Sequence, residues 1–180
     1  MRRPKVPPPR RIDQGEILDL IARDEDFEDE DQREDFVDFR IAAADFSSLI
    51  VAPSDWTIES LSRQIGRQID LDPEFQRRGV WSARSKSAFI ESLLLNIPIP
   101  QILLAARQAD RNSFIVLDGK QRLLTIRQFL AGQFEDGKDF KLKEMRILRE
   151  LEGLSWDELK VQPKWADAFL NQTIRTAILR

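Results

Sequence analysis

The chain predicts a mixed α/β domain, an α+β arrangement in which a small sheet is packed by helices. Three observations point there. Residues 102–106 (Ile-Leu-Leu-Ala-Ala) and 114–117 (Phe-Ile-Val-Leu) are short apolar runs, rich in β-branched residues and bounded by polar turns, which is the pattern of buried strands. Residues 58–69, a stretch opened by Ser82, and a stretch after Asp118 repeat apolar residues at helical spacing. Finally, one of the strands runs into one of the helices through Asp118-Gly119, a turn in which Asp can bond its own backbone and Gly accepts a positive φ.

Residues 1–11, with Arg2, Arg3, Lys5, Arg10 and Arg11 among four prolines, read as an extended arm. Such an arm is either a plain terminus or a contact for nucleic acid. Residues 13–22 have the spacing of a short helix (Ile17, Leu18, Ile21), and residues 24–38 form an acidic block with Phe27, Phe36 and Val37, followed by Phe39. That block is either a solvated lead-in or a segment competing with nucleic acid for a basic surface. The predicted division is a lead-in over 1–45 and a compact domain over 46–180.

Within the domain, 49–51 predicts a short strand ended by Pro53. Thr57 is a suitable N-cap for a helix over 58–69 bearing Ile58, Leu61, Ile65 and Ile69. A polar loop over 70–79 carries Phe75, with Trp81 just beyond it. Ser82 caps the next helix, whose apolar face is Phe89, Ile90, Leu93 and Leu94; Asn96 ends it and Pro98 and Pro100 forbid its continuation. The strands at 102–106 and 114–117 are close enough for an antiparallel hairpin. The following helix, with Leu123, Ile126, Phe129 and Leu130 on one side, stops at Gly132. Residues 140–148 predict a strand, Ser155-x-x-Glu158 a capping box, Pro163 the start of a helix with Trp165 and Phe169, and 172–179 a last strand. Ending on a strand, the chain reads as a domain cut short. Trp81, Phe89, Leu93, Phe129 and Leu130 are core candidates.

Composition narrows the chemistry. The 180 residues include no Cys and no His, which excludes thiolate metal sites, Cys nucleophiles, the Ser-His-Asp triad and His-based nuclease centres within this chain. A bound metal would need oxygen ligands, hence Mg²⁺, Mn²⁺ or Ca²⁺. No apolar run approaches the roughly 20 residues of a membrane span, and the basic N-terminus lacks the apolar stretch of a secretory signal. A cytoplasmic protein is expected. The formal net charge is −3, yet residues 13–39 hold thirteen acids against Arg23 and Arg33, and residues 40–180 come to +3. The domain is therefore mildly basic, too weakly to indicate DNA binding from charge alone.

Two polar clusters remain, Pro73-x-Phe75-Gln76-Arg77 with Trp81, and Asp118-Gly119-Lys120-Gln121-Arg122. Arg, Gln and Lys suit phosphate oxygens, and the first turn of a helix presents the positive end of its dipole. Asp118 either holds a divalent metal or caps the helix. Neither cluster is a Walker or Rossmann loop. By residue type alone, an Asp-Gly turn is more often a turn and nothing else.

The ordered blocks resemble the N-terminal domain family of GmrSD-type, modification-dependent restriction enzymes. That family's pattern is P-x-F-Q-R…W, then E-S-L…I-P-x-P, then D-G-Q-Q-R-L-x-T-L. Pro73, Phe75, Gln76, Arg77 and Trp81 match the first block. Glu91, Ser92, Ile97, Pro98 and Pro100 match the second, and Asp118, Gly119, Gln121, Arg122, Leu123 and Thr125 the third. Lys120 stands where the family usually has Gln. The match spans roughly residues 55–134, with a weaker echo to 180, and an F-x-x-[IL]-N block usual after the last strand is absent. The resemblance implies a ParB/sulfiredoxin-like fold, with a small mixed sheet and surrounding helices, and a strand–turn–helix that binds nucleotide phosphates. It implies NTPase activity, nuclease activity (nicking or cleavage of DNA), or both, in restriction and phage defence. It further implies DNA and nucleotide as partners, Mg²⁺ as cofactor with a nucleoside triphosphate as substrate or ligand, and a separate or C-terminal nuclease domain. Homo-oligomer assembly is compatible with it. Carried over by residue, Gln76, Arg77, Gly119, Lys120, Gln121 and Arg122 would hold phosphates, Asp118 would hold the metal or orient a water, and Asp118, Gln121 and Arg122 would form the catalytic set. A sensor that binds nucleotide or DNA without turnover, or an interaction domain, is the alternative.

Overall fold

A computed structural model describes residues 51–71, 80–107, 110 and 112–180. The basic arm, the acidic block, and Pro73, Phe75, Gln76 and Arg77 lie outside the described residues. Among the described residues, five strands and five α-helices follow one another: β1 Val51–Thr57, α1 Ile58–Gln64, β2 Ile69–Asp70, α2 Ala83–Leu94, β3 Ile102–Ala106, β4 Phe114–Asp118, α3 Lys120–Ala131, α4 Trp156–Leu159, α5 Pro163–Leu170 and β5 Thr173–Leu179. A 3₁₀ turn, Arg149–Leu151, precedes α4. The strands form one mixed sheet in the order β1-β5-β3-β4-β2. β3 and β4 are the expected antiparallel pair, β5 pairs antiparallel with β1 and parallel with β3, and β2 runs parallel to β4. The mixed α/β architecture is as the sequence predicts.

Side chains alternate across the sheet. Ile102, Leu104, Phe114, Ile174 and Ile178 point into the core shared with the helices. On the other face, cross-strand register aligns Val51, Leu179, Ala105 and Ile115 in a row, with Val51 and Ile115 exposed. The centre of the helical layer is Phe129 on α3. Its ring meets those of Phe140, Phe169 and Trp156 edge-on, with centroids at 5.3, 5.4 and 5.8 Å. Such tilted pairs suit the aromatic quadrupole. Phe89, Leu93 and Phe129 are buried as expected, while Trp81 and Leu130 pack half-buried against the core.

Local signals set several boundaries. Thr57 and Ser82 accept hydrogen bonds from the backbone N–H groups of Ser60 and Ser85 at 3.2 and 3.1 Å, so both serve as N-caps. Ser155 donates its backbone N–H and its hydroxyl to Glu158 at 2.9 Å each, and Pro163 opens α5. Gly132 ends α3 in the left-handed region.

Three expectations need correction. The first strand does not stop at Pro53 but runs through it to Thr57. β1 lies at the edge of the sheet, where a residue without an N–H is tolerated. The helix predicted over 58–69 ends at Gln64, because Ile65 is extended and Gly66 has φ 79°. Ile69 keeps its burial in β2 instead, fixed by the Phe114 N–H donating to the Gln68 carbonyl at 2.7 Å. Residues 140–148 are not a strand. Five successive amides there are taken by carboxylates: Glu144 and Met145 donate to Glu152 at 2.9 Å each, and Arg146, Ile147 and Leu148 to Glu91 at 3.1, 2.9 and 2.7 Å. Amides held by side chains are not available to a strand ladder.

Candidate functional site

The candidate site lies where β4 passes into α3. The β3–β4 ladder pairs Leu104 with Val116 and then Leu103 with Asp118, so one extra residue is accommodated as a β-bulge. Strict alternation from Phe114 and Val116 would send Asp118 into the core. The bulge removes it from that alternation, a common use of this device beside functional residues. Its side chain is 30% exposed.

Gly119 follows at φ 88°, the left-handed conformation the sequence anticipates. It is required for space as well. A Cβ there would lie 2.9 Å from Cγ1 of Ile102 and 3.4 Å from Cζ of Arg122. Asp118 does not cap α3. No side chain caps this helix, and no acidic residue occupies its first turn.

The first turn carries Lys120, Gln121 and Arg122. Lys120 and Gln121 are half-buried. Gln121 accepts a hydrogen bond through Oε1 from the Trp81 backbone N–H at 3.3 Å, which joins two sequence blocks forty residues apart. Its amide nitrogen and the Oδ1 of Asp118 make no hydrogen bond among the described residues. Arg122 is only 3% exposed. Its Nη1 donates to the carbonyls of Pro100 and, at 3.1 Å, Gln101, and its Nη2 donates to Oδ2 of Asp118 at 3.0 Å. The turn thus brings half-buried Asp118, Lys120 and Gln121 together around the buried Gly119, with Arg122 beneath them. Gln76 and Arg77 lie outside the described residues. No group of three or more Asp or Glu that could hold a metal ion occurs among the described residues.

Other residues of the matched blocks have internal partners. Glu91 is 2% exposed and binds the three amides of 146–148. The Ser92 hydroxyl donates to the Ala88 carbonyl at 3.0 Å, and the buried Thr125 hydroxyl donates to that of Gln121 at 2.8 Å. Sequence reasoning did not single out Lys86. It is 5% exposed, donates to Gln128 Oε1 at 2.8 Å and lies 5.4 Å from the centroid of the Phe134 ring. Burial lowers its pKa from the ordinary lysine value, with Glu135 and Asp136 acting in the opposite sense. Gln128 Nε2 is buried without a hydrogen-bond partner. The signal available in sequence was a lysine and a glutamine on the inner faces of two amphipathic helices.

This is an α/β domain whose polar strand–turn–helix is braced from beneath by Arg122. The family model for the N-terminal domain of GmrSD restriction endonucleases matches residues 58–177, about two-thirds of the chain, and the chain belongs to that family. It is accordingly a module of the restriction and defence class. No curated protein and no solved structure matches it. Among the described residues, no helix is long and apolar enough to cross a membrane.

Proposed function

We propose that the Asp118–Gln121 turn holds the phosphates of a nucleoside triphosphate, and that the domain is the nucleotide-handling, DNA-directed part of a restriction or anti-phage system. The observation that supports this is the start of α3: Gly119 is left-handed, no side chain caps the helix, and its first turn holds Lys120 and Gln121 but no acid. The helix dipole and a lysine both favour an anion there. In this reading Gln76 and Arg77 also bind the phosphates, and Arg122 adds positive charge beneath.

Mg²⁺ fits as a shared ligand rather than in a cage of protein oxygens. It is commonly held by one or two carboxylates together with substrate phosphates, and Asp118 offers Oδ1. A bound Mg²⁺ would neutralise phosphate charge during transfer. In this reading Asp118 and the Gln121 amide orient a water. Calorimetry of the full chain with ATP and GTP, with and without Mg²⁺, tests the binding step, and phosphate release or nicking of a supercoiled plasmid tests turnover. Lys120→Ala and Gln121→Ala should each weaken nucleotide binding by about tenfold, the size of one charge-assisted or polar hydrogen bond. Unchanged affinity in both variants would sink the reading.

A second reading, a nucleotide or DNA sensor without turnover, is favoured by the Asp118 carboxylate, one of whose oxygens is already bonded to Arg122. Nucleotide affinity without product release would select it. A steep loss of DNA affinity with salt would mark phosphate-backbone contact.

A further inference from the structure

We infer that Arg122 is a positioning residue for Asp118 rather than a ligand of the phosphates. The inference rests on the nucleotide-binding reading of this turn and assigns one of its residues a different task. An arginine in the first turn of a helix, beside a lysine and a glutamine, would ordinarily reach outward. Here the side chain is 3% exposed and runs under the turn. Its fork spans three pieces of chain. Nη1 donates to the carbonyls of Pro100 and Gln101, where the chain enters β3, and Nη2 donates to Oδ2 of Asp118 at the end of β4. The head group is carried by the first turn of α3.

A guanidinium suits this because its donors are fixed in one plane and keep their charge. The contact with Oδ2 leaves Oδ1 as the oxygen turned to the surface. The bulge at Leu103 has already moved Asp118 out of the core alternation, and the ion pair then selects its rotamer. Gly119 belongs to the same device, since a Cβ at that position would lie 3.4 Å from Arg122 Cζ. Pro100 supplies one of the carbonyls, so the Ile97–Pro100 segment helps set the carboxylate although it lies some twenty residues upstream of the turn.

The test uses the full chain and the variants Arg122→Lys, Asp118→Asn and their combination, each first checked for native circular dichroism. ¹⁵N spectra of the arginine side chains supply a readout independent of activity. In the native chain the Arg122 Nη resonances should be separate, from a guanidinium held against rotation, and should stay in place on saturation with ATP–Mg²⁺. Kinetically, Arg122→Lys should leave nucleotide affinity within about threefold while kcat falls about tenfold or more and half-saturation by Mg²⁺ rises. That loss should vanish in the Asp118→Asn background, because residues acting as a unit are not additive. A large shift of the Arg122 resonances on adding nucleotide, or a loss in Arg122→Lys that appears in Kd and persists with Asn at 118, would overturn the inference. A protein that binds no nucleotide yet keeps the restrained Arg122 resonances would refute the nucleotide reading and leave the brace standing. If Arg122→Lys does not fold, the wild-type spectra decide: freely rotating Nη groups in the native chain, or a large shift of them on adding nucleotide, would overturn it.

Discussion

Two places in this domain are suited to bind an anion, and they are finished differently. Along residues 144–148 five successive backbone amides are taken by the carboxylates of Glu152 and Glu91, the second of which reaches across from α2 and is buried. At the start of α3 the dipole also favours negative charge, yet no side chain caps the helix and no acid occupies its first turn. The Asp118 carboxylate, just before the helix, is tied to Arg122 below. In the first region the chain supplies its own anions and the result is a rigid, irregular connection. In the second it supplies cations and donors. The difference separates scaffold from candidate site: in the first region carboxylates of the chain take the amides, while the helix start where a ligand is proposed has no side-chain cap.

The largest effect should come from Glu91. Glu91→Ala leaves three amides without acceptors in the interior and should destabilise the domain by about 3–5 kcal/mol, read from urea unfolding. A value under about 1 kcal/mol would mean that water replaces the carboxylate and that the two regions are less different than they look. Gly119→Ala comes next. A left-handed alanine together with a 2.9 Å approach to Ile102 should cost about 2–4 kcal/mol and reduce nucleotide binding. Gly132→Ala, at φ 74° with nothing within 4 Å of its Cβ, should cost only the backbone share, about 1 kcal/mol.

Lys86 sharpens the contrast within α2, which carries Glu91 five residues on. Lys86→Met removes the donor to Gln128 Oε1 and should destabilise by about 1–3 kcal/mol, since that oxygen remains buried. Adding Gln128→Met should recover most of the loss, because both unpaired groups are then gone. The smallest effect is expected at Glu152 and depends on pH. The amides of Glu144 and Met145 hold this carboxyl below the ordinary glutamate value of 4.5. Its stabilising effect is therefore complete above that pH and fades as pH falls through the lower folded value. Glu152→Gln should lower Tm at pH 7 and lower it progressively less as pH falls below 4.5, compared by thermal melts of the two proteins.

What was legible in the sequence was local chemistry. Ser82, Thr57, the Ser155–Glu158 box, Gly119 and Gly132 each act within a few residues, and each marks its element as the pattern anticipates. The hairpin of β3 and β4 follows from two apolar runs with a short polar link. What could not be read depends on distant partners. Residues 140–148 have a strand-like composition, but Glu91, more than fifty residues upstream, takes their amides. Ile65 and Ile69 fit a helical face equally well, and only pairing of β2 with β4 decides against it. The position of Asp118 and Gln121 near one another followed from the motif, whereas the burial of Arg122 did not. Nothing in a first-turn arginine announces two carbonyls waiting beneath it at Pro100 and Gln101.

Gly119 has a consequence for how this turn can change over generations. Two independent barriers guard the position, one set by its own torsion angle and one by the bodies of Ile102 and Arg122. Shrinking Ile102 lowers only the second. In a saturation library on the present background, glycine alone should survive selection at 119. With Ile102→Ala already in place, asparagine, which tolerates the left-handed region best among residues with a side chain, should be the first to join it. The path away from glycine thus has an obligatory order, beginning inside the core and reaching the surface turn second.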